Sequence, residues 1–202
     1  MRRTIKACFA ALAAALLLSA AVTSATANRL ASNETGFRIT YAPISFIPSF
    51  GSSITCPLTL EGSFHSRTLT KTAGSLIGYV NRAILGTCEA GRWRINSETL
   101  PWHLQYASFA GTLPNITAIN YNLIRMSWDM QGEIFGLRVP CRYTTASEGF
   151  TNNRETTRGR VTTQRPGTES ISSETEGCPS GRWSGTGNVV TPTGAASVVN
   201  LV

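Results

Sequence analysis

The chain has 202 residues, 42% of them hydrophobic and only 14% charged, with 18 Lys+Arg against 11 Asp+Glu and five cysteines. That length implies one domain, large enough to bury roughly 70% of the surface its unfolded chain exposes, and excludes a multi-domain reading. The formal charge of +7, which falls to +4 without residues 1–27, is too weak and scattered for a nucleic-acid surface: the densest basic cluster, Arg154, Arg158, Arg160 and Arg165, is itself interrupted.

Residues 1–27 read as a cleavable secretory leader, with Arg2, Arg3 and Lys6 before an apolar run over 7–22 and Ala25-Thr26-Ala27 as the small-residue stop before Asn28. An apolar run of about 16 residues is shorter than the roughly 20 a spanning helix needs, so no membrane span is expected. Cys8 lies near the start of that run, not at its end where a lipid anchor would need it. Cleavage removes three basic residues, which lowers the charge from +7 to +4 and leaves four cysteines. The mature chain, 28–202, is expected to be released as a single secreted β domain. The sequons Asn33-Glu34-Thr35 and Asn115-Ile116-Thr117 matter only in a host that glycosylates there.

Ser and Thr supply 41 of these 175 residues, and Lys71 is the only lysine. Thr suits a half-exposed pleated surface, whereas helical proteins lean on Ala, Leu, Glu and Lys. The apolar residues repeat every second position. Residues 37–41 alternate before a Pro-rich stretch through Pro43, Pro48 and Gly51 breaks the pattern, and 59–64 form the next strand. Residues 76–85 have some helical spacing, but Gly78 lies inside and Ile77, Val80 and Ile84 are β-branched, which favours a strand. Strands are expected at 93–95, at 101–109 with Trp102, Leu104 and Tyr106 on one face, at 119–128, at 134–143 interrupted by Pro140, and at the C-terminal 198–202. Residues 144–177, dominated by Thr, Ser, Glu, Arg, Asn and Gly, read as a long polar surface excursion with a hairpin near Arg165-Pro166-Gly167. Short strands divided by Gly, Pro and Asn turns predict an all-β fold, an antiparallel β-sandwich or β-barrel.

A hexapeptide theme repeats at an interval of ninety residues. Cys88-Glu89-Ala90-Gly91-Arg92-Trp93 and Cys178-Pro179-Ser180-Gly181-Arg182-Trp183 both read C-x-x-G-R-W. They suggest two similar corners, each with a Gly turn after a disulfide and a Trp leading a strand into the core. Of the three possible connectivities this favours Cys56 with Cys88 and Cys141 with Cys178. Zinc is disfavoured, because every spacing exceeds thirty residues in an exported chain.

Catalytic constellations are sparse. Asp129 is the only aspartate, His65 and His103 are the only histidines, and no G-x-S-x-G elbow surrounds a serine. Glu61, His65 and His103 form the one candidate two-His, one-carboxylate site, with Glu61 and His65 on the same face of a strand because their separation is even. A glycosidase pair would have to draw on Glu61, Glu98 or Glu133. Trp102, Tyr106, Tyr121 and Trp128 are core residues or, in a barrel with a cavity, the lining of a small-ligand site.

The blocks Thr59-Leu60-Glu61-Gly62-Ser63-Phe64-His65-Ser66-Arg67-Thr68, Thr99-Leu100-Pro101-Trp102-His103-Leu104-Gln105-Tyr106 and Gly111-Thr112-Leu113-Pro114-Asn115-Ile116-Thr117 resemble those of a family of uncharacterised secreted proteins of high-GC actinobacteria. The block Trp183-Ser184-Gly185-Thr186-Gly187-Asn188-Val189 is similar to that family's F-S-G-S-G-x-V, with Trp in place of Phe. The resemblance implies export and a β-rich fold, and it carries no activity and no catalytic residue. Residues 144–177 depart from it most. The expectation is a secreted, non-enzymatic binding or structural protein acting on an extracellular ligand or envelope component, without cofactor. A small hydrophobic-ligand carrier and an enzyme using Glu61, His65 and His103 are the alternatives.

Overall fold

The computed structural model describes residues 29–49, 52–89, 92–113, 115–134, 137–145, 150–155, 159–164, 171 and 173–201. The leader expected at 1–27 and the hairpin expected at 165–167 lie outside them. Fourteen strands follow in chain order: β1 (Leu30–Ser32), β2 (Gly36–Pro48), β3 (Ile54–Phe64), β4 (Thr68–Leu69), β5 (Leu76–Leu85), β6 (Trp93–Ile95), β7 (Trp102–Thr112), β8 (Asn115–Ile124), β9 (Ser127–Ile134), β10 (Leu137–Thr144), β11 (Phe150–Glu155), β12 (Arg160–Gln164), β13 (Gly181–Val190) and β14 (Val199–Leu201). A 3-10 turn at Ser97–Thr99 precedes β7. Among the described residues no helix is long and apolar enough to cross a membrane.

Eight strands close into an antiparallel barrel in the order β11-β12-β13-β2-β3-β5-β7-β8, with β8 pairing back onto β11. The period-two pattern is what fills it, since alternate residues of a strand share a face. Phe37, Ile39 and Tyr41 of β2, Leu58 and Leu60 of β3, Trp102, Leu104 and Tyr106 of β7, Ile119, Tyr121 and Leu123 of β8, and Val189 of β13 are all buried. The segment 76–85 is a strand, as its β-branched content indicates. Two small antiparallel sheets flank the barrel, β14-β1-β4 and β10-β9-β6.

Four expectations need correction. The Pro-rich stretch does not end β2. Its ladder shifts register between Tyr41 and Ile44, so Ala42 and Pro43 leave the pairing and the buried positions pass from Phe37, Ile39 and Tyr41 to Ile44 and Phe46. A bulge is where a strand accommodates proline. Pro140 likewise sits within β10, an edge strand of its sheet. The run over 119–128 is two strands: Arg125, at φ 63, turns the chain between β8 and β9. Thr145 clamps that turn, accepting from Met126 N–H at 3.0 Å and donating to the Leu123 carbonyl at 3.0 Å. Finally, residues 150–155 and 160–164 are not a surface excursion. They are β11 and β12, the two strands that close the ring, and Val161 of β12 is fully buried.

Both disulfides have the connectivity suggested by the hexapeptides. Cys56 on β3 joins Cys88 beyond β5, and Cys141 on β10 joins Cys178 ahead of β13. The two hexapeptide tryptophans meet: the rings of Trp93 and Trp183 are edge to face at 4.5 Å. Trp128 lies 5.1 Å from Trp183 and stacks on Tyr143 at 5.5 Å, while Phe46 touches Tyr143 and Trp183 at 5.1 and 5.4 Å. This aromatic cluster bonds the β10-β9-β6 sheet to the barrel. Gly181 permits it, since any Cβ there would overlap the Phe46 ring.

Candidate functional site

The barrel wall divides the five candidate residues. Trp102 and Tyr106 point inward and are buried, whereas Glu61, His65 and His103 belong to the outer face. Within the interior, Trp102 Nε1 donates to Thr99 Oγ1 at 2.8 Å, and Tyr106 stands opposite Tyr121. Burial pushes the Tyr106 phenol up from its ordinary value. Trp102, Tyr106, Tyr121 and Trp128 belong to one contiguous apolar cluster. Trp128, however, is on β9, outside the ring, so the four do not share one barrel lumen. A cleft of about 280 Å³ lies elsewhere, lined by Arg29, Thr68, Leu69 and Thr70 beside β1 and β4.

On the outer face, alternation places Glu61 and His65 on one side of β3, as their even separation requires. Their surroundings differ. Glu61 stands between Arg38 of β2 and Arg82 of β5 in the ladder, accepting from Arg38 Nε at 2.8 Å and from Arg82 Nη1 at 3.2 Å. Desolvation alone would raise its pKa, but the hydrogen bonds and charges of Arg38 and Arg82 outweigh it and hold the carboxyl below the usual carboxylate range. A carboxylate so held is a poor general acid.

His65 is exposed just past the end of β3, with its ring edge to face with Tyr79 at 5.9 Å. Tyr79 is in turn the cross-strand partner of His103, so Tyr79 stands between the histidines. On its other side, His103 Nε2 lies 3.5 Å from Arg125 Nη1. Arginine only donates, so in this contact Nε2 is the acceptor. Nδ1 is buried and meets no hydrogen-bond partner among the described residues. Among the described residues no three His, Cys, Asp or Glu side chains are grouped to hold a metal ion. The candidate set is therefore corrected: Glu61 belongs to an arginine ladder, and the histidines to a separate row with Tyr79 and Arg125.

Sequence reasoning missed Arg38, Tyr79, Arg82 and Arg125. Arg38 and Tyr79 were findable, because each alternates with buried neighbours on its own strand. The bulge at Asn81, where β5 shifts register against Glu61 and Gly62, places Arg82 opposite Glu61, and nothing local announces it. Of the two sequons, Asn33 uses its side chain within the fold, donating to the Ala196 carbonyl at 3.0 Å and accepting from Val198 N–H at 2.9 Å. Asn115 is exposed at the start of β8. Comparison of the chain with models of protein families, with curated proteins and with solved structures found no match.

Proposed function

We propose that this chain is an exported, non-enzymatic binding or structural protein of the extracellular space or cell envelope, of the kind its sequence blocks resemble in high-GC actinobacteria. The observation that carries the reading is a closed eight-stranded barrel with a side-chain-filled wall, held by two disulfides. Disulfides persist in oxidising compartments, and a cross-linked sheet with a Ser- and Thr-rich exterior suits a durable scaffold outside the cell. The leader-like residues 1–27 support the same location. A non-enzymatic role is supported by the dispersal of the few titratable side chains: Glu61 is neutralised between two arginines, and His65 and His103 are kept apart by Tyr79.

The test is to express the full chain in a high-GC actinobacterial host and to sequence the protein recovered from the medium. The expected product begins at Asn28, carries no alkylatable thiol and sediments with isolated cell envelopes. Retention in the cytoplasm with free thiols overturns the reading. Enhanced fluorescence of an apolar reporter dye, without envelope binding, would favour the carrier.

A further inference from the structure

The end of the barrel where β2, β5 and β12 begin and β3, β7 and β13 finish carries a surplus of positive charge. The β14-β1-β4 sheet caps it, because β1 leads into β2 and β4 follows β3. Among the side chains described there, Arg29, Arg67, Lys71 and Arg160 stand against Glu34, which Arg67 already holds at 3.2 Å. Arg29 meets no carboxylate among the described residues. It lines the cleft of about 280 Å³ with Thr68, Leu69 and Thr70. Alternation turns Leu69 into the core and sets Thr68 and Thr70 on the exposed face of β4. The Thr70 hydroxyl is engaged by Thr72. That leaves the Arg29 guanidinium and the Thr68 hydroxyl as the cleft's donors, a set suited to a phosphate oxygen.

Beside the cleft stands the β7–β8 hairpin. β7 runs on to Thr112 past its last ladder pair with β5, Leu76–Gln105, and β8 joins β11 only from Ala118, so the tip over 111–117 reaches beyond both neighbouring ladders. The β4–β5 loop links the hairpin to the cleft. Gly74 N–H donates to the Tyr106 carbonyl at 2.8 Å, Gln105 Nε2 donates to the Gly74 carbonyl at 3.1 Å, and the Lys71 ammonium lies 5.7 Å above the Phe109 ring. The hairpin ladder closes at Thr112–Asn115, which puts Leu113 and Pro114 at the apex, where two-residue loops ordinarily carry Asn, Asp or Gly. Leu113 is 55% exposed, the most open large apolar residue among those described. No Asp, Glu, Lys, Arg or His occurs from 104 to 124, so the tip can leave water without burying a charge.

We propose that this end of the barrel docks on an anionic phospholipid surface, with Leu113 among the acyl chains, Lys71 at headgroup level and a lipid phosphate in the cleft against Arg29 and Thr68. An apolar tip holds a peripheral protein at a membrane interface through the area it buries, and neighbouring cations add attraction to the negative surface potential. A polyanion without acyl chains would engage the cations and leave Leu113 in water, so the apex favours lipid. The proposal rests on the envelope-binding reading above and names the partner's chemistry.

The experiment sediments the oxidised mature chain with vesicles of phosphatidylcholine, with and without an equal part of phosphatidylglycerol. The protein should follow the anionic vesicles at low salt and stay in solution with the neutral ones. Leu113→Ser should bind the anionic vesicles about tenfold more weakly, and Lys71→Gln and Arg29→Gln each about fivefold. Ile84→Ser, at an exposed apolar position toward the opposite end of β5, should match the parent. Leu113→Trp should gain quenching by lipids brominated on their acyl chains, which the parent's buried and half-buried tryptophans do not give. Equal sedimentation with neutral and anionic vesicles, undiminished binding by Leu113→Ser, or an unquenched Leu113→Trp variant overturns the proposal. A protein that sediments with envelopes but not with anionic vesicles overturns the lipid partner alone; one that sediments with neither overturns the binding reading as well.

Discussion

Glu61 shows how one residue's neighbours decide its chemistry. Its carboxyl is held below the usual range by Arg38 and Arg82, so the native state binds its proton less readily than the unfolded chain. The stability this contributes is present above the unfolded pKa and lost as the pH falls through the folded one. Glu61→Gln should therefore cost about 1 kcal/mol or less at neutral pH, as for exposed ion pairs, and should flatten the acid limb of the stability curve. Urea unfolding at neutral pH and well below the carboxylate range checks both. Equal slopes for the variant and the parent would mean the arginines do not hold the carboxylate in solution. The candidate site was half legible in the sequence. Parity along β3 places Glu61 and His65 on the outer face, but the two arginines that occupy Glu61 come from strands 23 and 21 residues away. That juxtaposition depends on strand order, which alternation does not encode.

Among the elements, β3 and β10 each carry one end of a long covalent loop. The Cys56–Cys88 bridge has a sequence separation of 32 and the Cys141–Cys178 bridge one of 37. By chain-entropy arithmetic, opening either loop restores unfolded-state freedom worth roughly 4 kcal/mol. The paired change Cys56→Ser with Cys88→Ser should lower the thermal midpoint by about 10 °C or more, given roughly 2–4 °C per kcal/mol at this size. Calorimetry of the variant beside the parent is the measurement, and a fall of only a degree or two would mean that the unfolded chain is already constrained there. The connectivity was readable because two hexapeptides share a spacing, and the contact of Trp93 with Trp183 gives that repeat a physical reason. Strand boundaries at proline were not readable. A proline removes one ladder donor, and whether a strand survives depends on whether that position falls at a bulge, as Pro43 does, or on an edge strand, as Pro140 does.

For the whole molecule, the closing of the ring was the least legible feature. The stretch 144–177 has few large apolar residues, which alone argues against a core. A five- or six-residue strand within a barrel needs little apolar content of its own, because its neighbours supply backbone partners and inward positions occur only at every second residue. β12 meets that condition with Val161, fully buried and opposite Gly187 of β13, while the outward Thr162 and the exposed Arg160 are polar. The two readings of this stretch predict different outcomes for one substitution. In a loose surface excursion Val161→Asp would change stability by no more than about 0.5 kcal/mol. In the ring it places an unpaired carboxylate in an apolar interior and should cost roughly 3 kcal/mol or more. Thr186→Asp, at an exposed position on the adjacent β13, controls for the added charge and should stay near the parent. Denaturant unfolding followed by near-ultraviolet circular dichroism separates the cases, because the aromatic cluster around Trp183 reports on β13. If Val161→Asp left both the midpoint and that signal unchanged, β12 would not be closing the barrel in solution.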